Sequence, residues 1–182
     1  MRCPHCQSSL KKAVYKGVHV YECDACHGMW FAHDDLRLAK DNTSDDLRWL
    51  DFDLFSEAAG KFQTLDGKRF CPVCSGAMRA RQYADSKVVI DVCSNKHGVW
   101  LDRREFQKII TYLDSFLNKK TSSSYASDMA KEFEEIARGS ESKISEIQDF
   151  LALSRLYEMR LIAEHPWVES ALATYYALTP FK

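Results

Sequence analysis

The sequence predicts an α+β protein with two small cysteine-containing β-ribbons, each followed by a helix, joined by a helical linker and continued by a C-terminal helical region. Three observations predict this class: CxxC pairs recur in one arrangement, runs of β-forming residues separate them, and apolar residues then return at helical spacing. With 182 residues, 46 % of them apolar and only 7 glycines and 4 prolines, a collagen-like or generally disordered chain is excluded.

The first ribbon is predicted within residues 1–40. Residues 13–15 and 18–21 are rich in β-forming side chains, and Lys16 and Gly17 between them are typical of a hairpin turn. This hairpin lies between two CxxC pairs. Their cysteines are Cys3, Cys6, Cys23 and Cys26.

The second ribbon is predicted within residues 67–118 and repeats the first. Its hairpin strands are expected at residues 82–83 and 88–90. One position breaks the repeat, because Lys96 stands where the first copy has Cys26. The cysteines of this copy are Cys71, Cys74 and Cys93.

A helix is predicted after each ribbon. In the second copy Asp102 and Glu105 have the spacing of a capping box, which satisfies backbone amides at a helix start. The first copy has Ala32 in place of Asp102, so its helix is expected to be shorter. The apolar face of the second helix comprises Phe106, Ile109, Ile110, Leu113 and Leu117.

The cysteine pattern indicates metal binding. Each CxxC turn presents two thiolates, and the hairpin brings two such turns together into a tetrahedron, as in structural zinc ribbons. The 7 cysteines are an odd number and cannot all pair as disulfides. Hairpins this small bury little apolar area, so we expect zinc to supply much of their folding energy. Four thiolates also suit a rubredoxin-like iron centre.

The motifs Cys-Pro-x-Cys and Cys-x-x-Cys-x-Gly-x-Trp, followed by an acidic helix start, resemble those of the transcription-factor-type (TFIIB-type) zinc-finger family. The resemblance covers residues 3–38 and 71–110 and implies a zinc-binding β-ribbon, without implying a known reaction. It makes four cysteines the ligands of site one and three cysteines ligands of site two. These are Cys3, Cys6, Cys23 and Cys26, and then Cys71, Cys74 and Cys93.

The fourth ligand of site two is expected to be His97, next to Lys96, giving a Cys3His set and two zinc ions per chain. In one alternative, His97 only repeats His27 beside a glycine turn, and site two is a weak three-thiol site. In another, an open fourth position makes the site catalytic, although no carboxylate is evidently placed beside it as a base.

The rest of the chain is predicted to be largely helical. Residues 41–66 form an acidic linker, whose helix is expected to begin after Ser44 and to end at Gly60. Residues 119–127 lack apolar periodicity and are interpreted as a solvated linker. The C-terminal region, residues 128–182, carries more apolar surface than separate helices can bury, so we expect a bundle or a homo-oligomer.

Net charge is −1, with 25 basic and 26 acidic residues, so any nucleic-acid site must be local. The second ribbon is basic and Tyr83 offers a ring for base stacking, whereas the acidic linker offers neutralisation within the chain. The candidate nucleic-acid contacts are Arg79, Arg81, Lys87, Arg103 and Arg104.

The function these patterns favour is a non-enzymatic, zinc-binding adaptor that docks a protein or a nucleic acid. A regulatory setting such as transcription is implied by the resemblance alone. The alternative is a thiol-redox protein or a redox switch that releases zinc. No sequence stretch reaches the roughly 18 apolar residues of a membrane span. Because Cys3 and Cys6 also stand where a secretory signal needs apolar residues, we expect a cytoplasmic protein.

Overall fold

The computed structural model describes residues 1–50, 54–55, 64–65, 67–138 and 142–178. The chain divides into two compact units, Met1–Ser115 and Phe116–Lys182. The first unit contains the cysteines and the second contains most of the helical C-terminal sequence. In chain order the strands and helices are β1 (Leu10–Tyr15), β2 (Val18–Cys23), β3 (Met29–Ala32), α1 (Asp35–Asp41), β4 (Thr64–Leu65), β5 (Met78–Gln82), β6 (Val89–Cys93), β7 (Gly98–Leu101), α2 (Glu105–Lys119), α3 (Ser122–Arg138), α4 (Lys143–Glu164) and α5 (Trp167–Leu178).

Both predicted hairpins are present, and the two ribbons join in one sheet. Within the described residues, seven strands form an antiparallel sheet in the order β1-β2-β3-β7-β6-β5-β4. The last strand of one ribbon pairs with the last strand of the other, in a register that places Trp30 opposite Trp100 and Phe31 opposite Val99. The two predicted ribbons are confirmed, and the structure adds that β3 pairs with β7, which removes an exposed edge from each ribbon.

The two tryptophans form the centre of this junction. Trp30 and Trp100 are fully buried, so they contribute to the core of the first unit. A Cβ on Gly28 would overlap the Trp100 ring, and a Cβ on Gly98 would overlap Phe31 and the Trp30 ring. Each ribbon thus supplies a glycine that makes room for the other ribbon's tryptophan.

The helices that follow the ribbons differ in length as predicted, α1 being shorter than α2. In α2, the Asp102 backbone N–H donates to Glu105 Oε2 at 2.7 Å, which is half of the expected capping box. The other half is replaced, because Asp102 Oδ1 accepts from Trp100 Nε1 at 3.1 Å. The helix accordingly begins at Glu105, after Arg104 with φ of 67°.

The linker differs from its prediction. Residues Asp45–Leu47 form a short 3-10 turn, and residues 54–55 lie in a turn, where one helix up to Gly60 was expected. The remaining positions of that expected helix, including Ala58 and Gly60, lie outside the described residues. A buried lysine explains the turn, since Lys40 Nζ donates to the backbone oxygens of Leu47 and Leu50 at 2.7 and 2.9 Å.

The second unit contains α3, α4 and α5. The predicted solvated linker at residues 119–127 is wrong, because α3 begins at Ser122. The Thr121 hydroxyl accepts a hydrogen bond from the Ser124 backbone N–H at 3.3 Å, and buried Tyr125 donates to the Leu117 carbonyl at 3.0 Å. A run of serines and threonine therefore starts a helix here, since short hydroxyl side chains favour helix N-termini.

Candidate metal centres

Site one brings the sulfurs of both CxxC pairs together beside strand β2. Its four sulfurs all lie within 4.8 Å of one another. Cys3 Sγ and Cys26 Sγ are 3.5 Å apart, and so are Cys6 Sγ and Cys23 Sγ. A tetrahedral zinc ion with its usual Zn–S bond length holds sulfurs roughly 3.8 Å apart. The four predicted ligands of site one are thus placed together at a spacing that fits zinc.

Backbone amides support the first cysteine of this site. The N–H groups of His5 and Cys6 donate to Cys3 Sγ at 3.3 and 3.4 Å. The Cys3–Cys6 turn that carries these groups closes with left-handed backbone at Gln7, and the Cys23–Cys26 turn closes in the same way at His27, with φ of 63° and 58°. Such amide donors stabilise thiolate charge and orient the ligand.

The sulfurs of site one differ in their acidity. Hydrogen bonding to Ser8 lowers the pKa of exposed Cys6 to about 6. Burial raises the pKa of Cys3 and raises that of Cys26 to about 12. Neighbouring thiolates repel one another when no cation is bound. A divalent metal ion bound among these four sulfurs would offset this repulsion.

Site two has the predicted mixed ligand set. The donor atoms of its three cysteines and His97 lie within 4.8 Å of one another. Cys93 Sγ is 3.7 Å from Cys74 Sγ and 3.4 Å from His97 Nδ1. The Val73 N–H donates to Cys71 Sγ at 3.4 Å, as the His5 amide does to Cys3 in site one. This arrangement supports the Cys3His prediction over a three-thiol site.

A one-residue change in the second turn brings His97 into the site. In the first copy His27 N–H closes the turn onto the Cys23 carbonyl, and His27 has the left-handed φ. In the second copy Lys96 N–H closes a tighter turn onto Cys93, and Lys96 has φ of 58°. The chain thus turns back one residue earlier, and the next side chain occupies the fourth ligand position.

The two sites share a pattern of charge. Burial raises the pKa of Cys71 to about 12, whereas a hydrogen bond from the Gly76 backbone lowers that of Cys74 to about 6. In each copy, therefore, the first cysteine of the Cys-Pro-x-Cys turn is the less acidic thiol and the second is the more acidic one. Neutral imidazole at His97 gives site two one fewer negative charge than site one.

The candidate nucleic-acid contacts occupy different environments. Arg81 is buried and donates to the Leu54 carbonyl at 3.0 Å, so its guanidinium does not face solvent. Arg79 donates to the Ser94 hydroxyl at 3.2 Å. Tyr83 is buried, which leaves its ring closed to base stacking. The exposed members of the set are Lys87, Arg103 and Arg104.

Comparison with known proteins agrees with these geometries. A family model described as transcription factor zinc-finger matches residues 2–41 and 70–112. The two matched segments coincide with the two zinc ribbons and are similar to this family. The match covers a little under half of the chain and leaves the C-terminal helices outside it. No curated protein and no solved structure is significantly similar to the chain. Among the described residues, no helix is long and apolar enough to cross a membrane.

Proposed function

We propose that the protein is a non-enzymatic adaptor whose two zinc ions stabilise a double ribbon and whose C-terminal helices mediate self-association. The observation that carries this proposal is that each metal centre has four protein ligand atoms within 4.8 Å of one another. Structural zinc sites are closed in this way, whereas catalytic zinc keeps a position for water or substrate. The family resemblance supports a regulatory setting such as transcription.

Metal analysis tests the structural role of the centres. We expect about two zinc ions per chain after purification without chelators, and displacement by Co²⁺ should give the absorption of tetrahedral thiolate sites. A stable protein with one zinc ion per chain and an exchangeable water on that zinc contradicts a closed pair of sites. Catalysis would then become the better hypothesis for the open site.

The assembly surface lies on the second unit. Four apolar side chains of the α3–α4 pair are between 47 % and 72 % exposed, and the Phe133 and Phe150 rings, 6.3 Å apart, join the two helices. Ile147 and Leu151 are one turn apart on α4. We define the hairpin face as Phe133, Ile144, Ile147 and Leu151.

A second copy of the chain is the proposed occupant of this face. Helix α5 adds exposed Trp167, Tyr175 and Leu178 in the same unit. Added to the hairpin face, these side chains bring the exposed apolar area of the named residues to roughly 1,000 Å², against about 800 Å² that each partner buries in a stable interface of standard size. An apolar stripe along one helix is self-complementary about a two-fold axis, so one surface serves both protomers.

Sedimentation of the zinc-loaded, full-length protein tests this association. We expect twice the chain mass of 21.0 kDa, and a shift to one chain mass in the double variant Ile147→Glu with Leu151→Glu. Ala163→Glu is the control, because it places one of these two added charges at a different exposed position of α4. A wild-type protein that sediments as a monomer at tens of micromolar rejects the proposed dimer.

The partner-binding surface is proposed to surround the Cys71–Cys74 turn of site two. Phe70 and Val73 are more than half exposed there, and Lys68 and Lys96 are exposed near the cysteines of the same site. An apolar pair near positive charge favours an acidic protein segment with apolar side chains. This surface differs from the first copy, where Arg2 and His5 hold the corresponding positions in sequence.

Quantitative affinity capture tests this surface, with the zinc-loaded protein as bait. Proteins recovered by the wild type should be lost with Phe70→Ser and Val73→Ser together, and retained with Val14→Ser, whose exposed valine lies on β1. Equal recovery by both variants rejects the surface. Nucleic acid becomes the better partner class if the protein binds duplex DNA or RNA and this binding weakens steeply with salt. The binding should then also weaken in the double variant Arg103→Ala with Arg104→Ala.

One observation favours the alternative of a redox switch. Cys6 is exposed and has a lowered pKa, the properties of an oxidisable thiol. Peroxide would oxidise two thiolates of one site to a disulfide, be reduced to two waters by taking up two protons, and release the zinc ion. Retention of both zinc ions under mild peroxide dismisses this alternative.

A further inference from the structure

The two metal sites share one hydrophobic core. Two cysteines of each site are buried in a single cluster, and the two paired tryptophans belong to the same cluster. A change in the position of either set of sulfurs therefore alters packing around the other set. The buried members of this cluster are Cys3, Cys23, Trp30, Cys71, Met78, Cys93 and Trp100.

Arg69 makes a direct polar link between the two sites. Its Nη2 atom lies 3.0 Å from His5 Nδ1, within the Cys3–Cys6 turn of site one. A guanidinium only donates hydrogen bonds, so His5 Nδ1 accepts this one. Arg69 itself stands two residues before Cys71 of site two, and its backbone oxygen accepts from Met78 N–H at 2.9 Å.

The same guanidinium contacts the rest of the second ribbon. Arg69 Nη1 donates to Asp91 Oδ2 at 2.7 Å, and Nη2 donates to Asp102 Oδ2 at 2.8 Å. Asp91 lies on β6, two residues before Cys93, and Asp102 precedes α2. One side chain thus fixes a turn of site one relative to both cysteine segments of site two. Nothing in the local sequence of Arg69 distinguishes it from the other basic residues of the second ribbon.

We infer that the two zinc sites bind metal cooperatively and that Arg69 is a positioning residue that couples them. Zinc at site one orders the His5 turn, which holds the guanidinium and with it the chain leading into Cys71. Because the first ion has already ordered that segment, the second ion binds without this entropic cost and therefore binds more tightly. Linkage makes the effect reciprocal, and couplings of this kind are typically about 5- to 150-fold.

Titration of the metal-free, full-length protein tests the inference, with Zn²⁺ against a competing chelator and native mass spectrometry as the readout. We expect the one-zinc species to stay well below the population that two independent sites would give. A one-zinc population at or above that level overturns the inference. This result needs no variant, so it holds even if substitutions prevent folding.

Variants then test the residue. Cys6→Ser removes a ligand of site one and should weaken Co²⁺ binding at site two by roughly 10-fold. The distinct absorption of a Co²⁺-loaded Cys3His site measures this binding. In the Arg69→Ala background the same Cys6→Ser change should have a much smaller effect, whereas the neighbouring control Lys68→Ala should leave the coupling intact. Arg69→Lys keeps the positive charge but lacks the planar guanidinium that contacts His5, Asp91 and Asp102. This variant should therefore also reduce the coupling. Undiminished coupling in both Arg69 variants overturns the role of this residue.

Discussion

At the scale of single residues, the environment of each sulfur decides its chemistry. Two adjacent cysteines in one CxxC turn, Cys3 and Cys6, differ because the first is buried and the second is exposed beside Ser8. Burial penalises the thiolate, whereas hydrogen bonds favour it. The positions of the cysteines were predictable from spacing, but this division of acidity was not, because it depends on which side of the turn faces the core.

Zinc binding should release protons, because ligand sulfur binds zinc as thiolate. The raised pKa values of Cys3 and Cys26 predict release of about two protons by these groups when site one fills at pH 7. Cys6, with a pKa of about 6, is already largely a thiolate at that pH. The apparent zinc affinity should therefore fall as pH falls.

Calorimetry in buffers of different ionisation enthalpy measures the number of protons released. His97→Ala serves as the background, because it weakens site two and isolates the heat of site one. A heat that does not depend on the buffer contradicts the prediction.

His97→Ala should itself selectively damage site two. The variant loses one of the four ligands of site two. Loss of a residue that only hydrogen-bonds to a ligand typically lowers metal affinity 10- to 100-fold, so we expect the zinc affinity of site two to fall ~100-fold or more. Site one should keep its zinc ion. Competition with a chelator measures both affinities, and Lys96→Ala is the control at the neighbouring exposed position. Equal affinities in His97→Ala and wild type exclude His97 as a ligand.

At the scale of elements, polar sequence did not always mean a solvated surface. Helix α1 ends with the charged residues Lys40 and Asp41, and both are buried. Lys40 Nζ lies 3.0 Å from Asp41 Oδ1 and also donates to backbone oxygens of the 3-10 turn. A lysine can close such a turn only when the chain folds back upon it, so spacing in the sequence could not identify this role.

Lys40→Met should destabilise the zinc-saturated protein by about 3 kcal/mol, because it leaves a buried carboxylate and several backbone oxygens without their ammonium partner. Lys12→Met is the control, since Lys12 is exposed on β1. Urea unfolding followed by tryptophan fluorescence measures both. A loss below about 0.5 kcal/mol, the usual range for surface positions, shows that the Lys40 contacts contribute little.

Gly28→Ala should destabilise the pairing of the two ribbons. A Cβ at this position would overlap the Trp100 ring, and overpacking in a core typically costs about 1–3 kcal/mol. Gly76→Ala is the matched control, because a Cβ there would meet its nearest atom, Cys74 Sγ, at an ordinary 3.4 Å. Thermal unfolding of the zinc-saturated variants compares them, and equal midpoints would show that the Trp100 ring moves aside without cost.

At the scale of the whole molecule, zinc dependence should divide along the two units. The ligand cysteines and His97 all lie in Met1–Ser115, whereas α4 and α5 lie in Phe116–Lys182. Chelation should therefore abolish amide exchange protection in the sheet, because the sulfurs and tryptophans share one core, while protection in α4 persists. Hydrogen exchange with mass spectrometry measures this directly. Full protection of β3 and β7 in metal-free protein contradicts a metal-dependent fold.

The sequence by itself determined the duplication, the hairpins, the unequal helices and the ligand positions, including His97 in place of the absent fourth cysteine. These features depend on local spacing, which fixes turns and periodicity. Only the tertiary structure decided that β3 pairs with β7, that Trp30 and Trp100 meet, and that Arg69 reaches both metal turns. These are contacts between segments far apart in the chain, and their energies depend on burial and geometry that arise only when the two copies pack together.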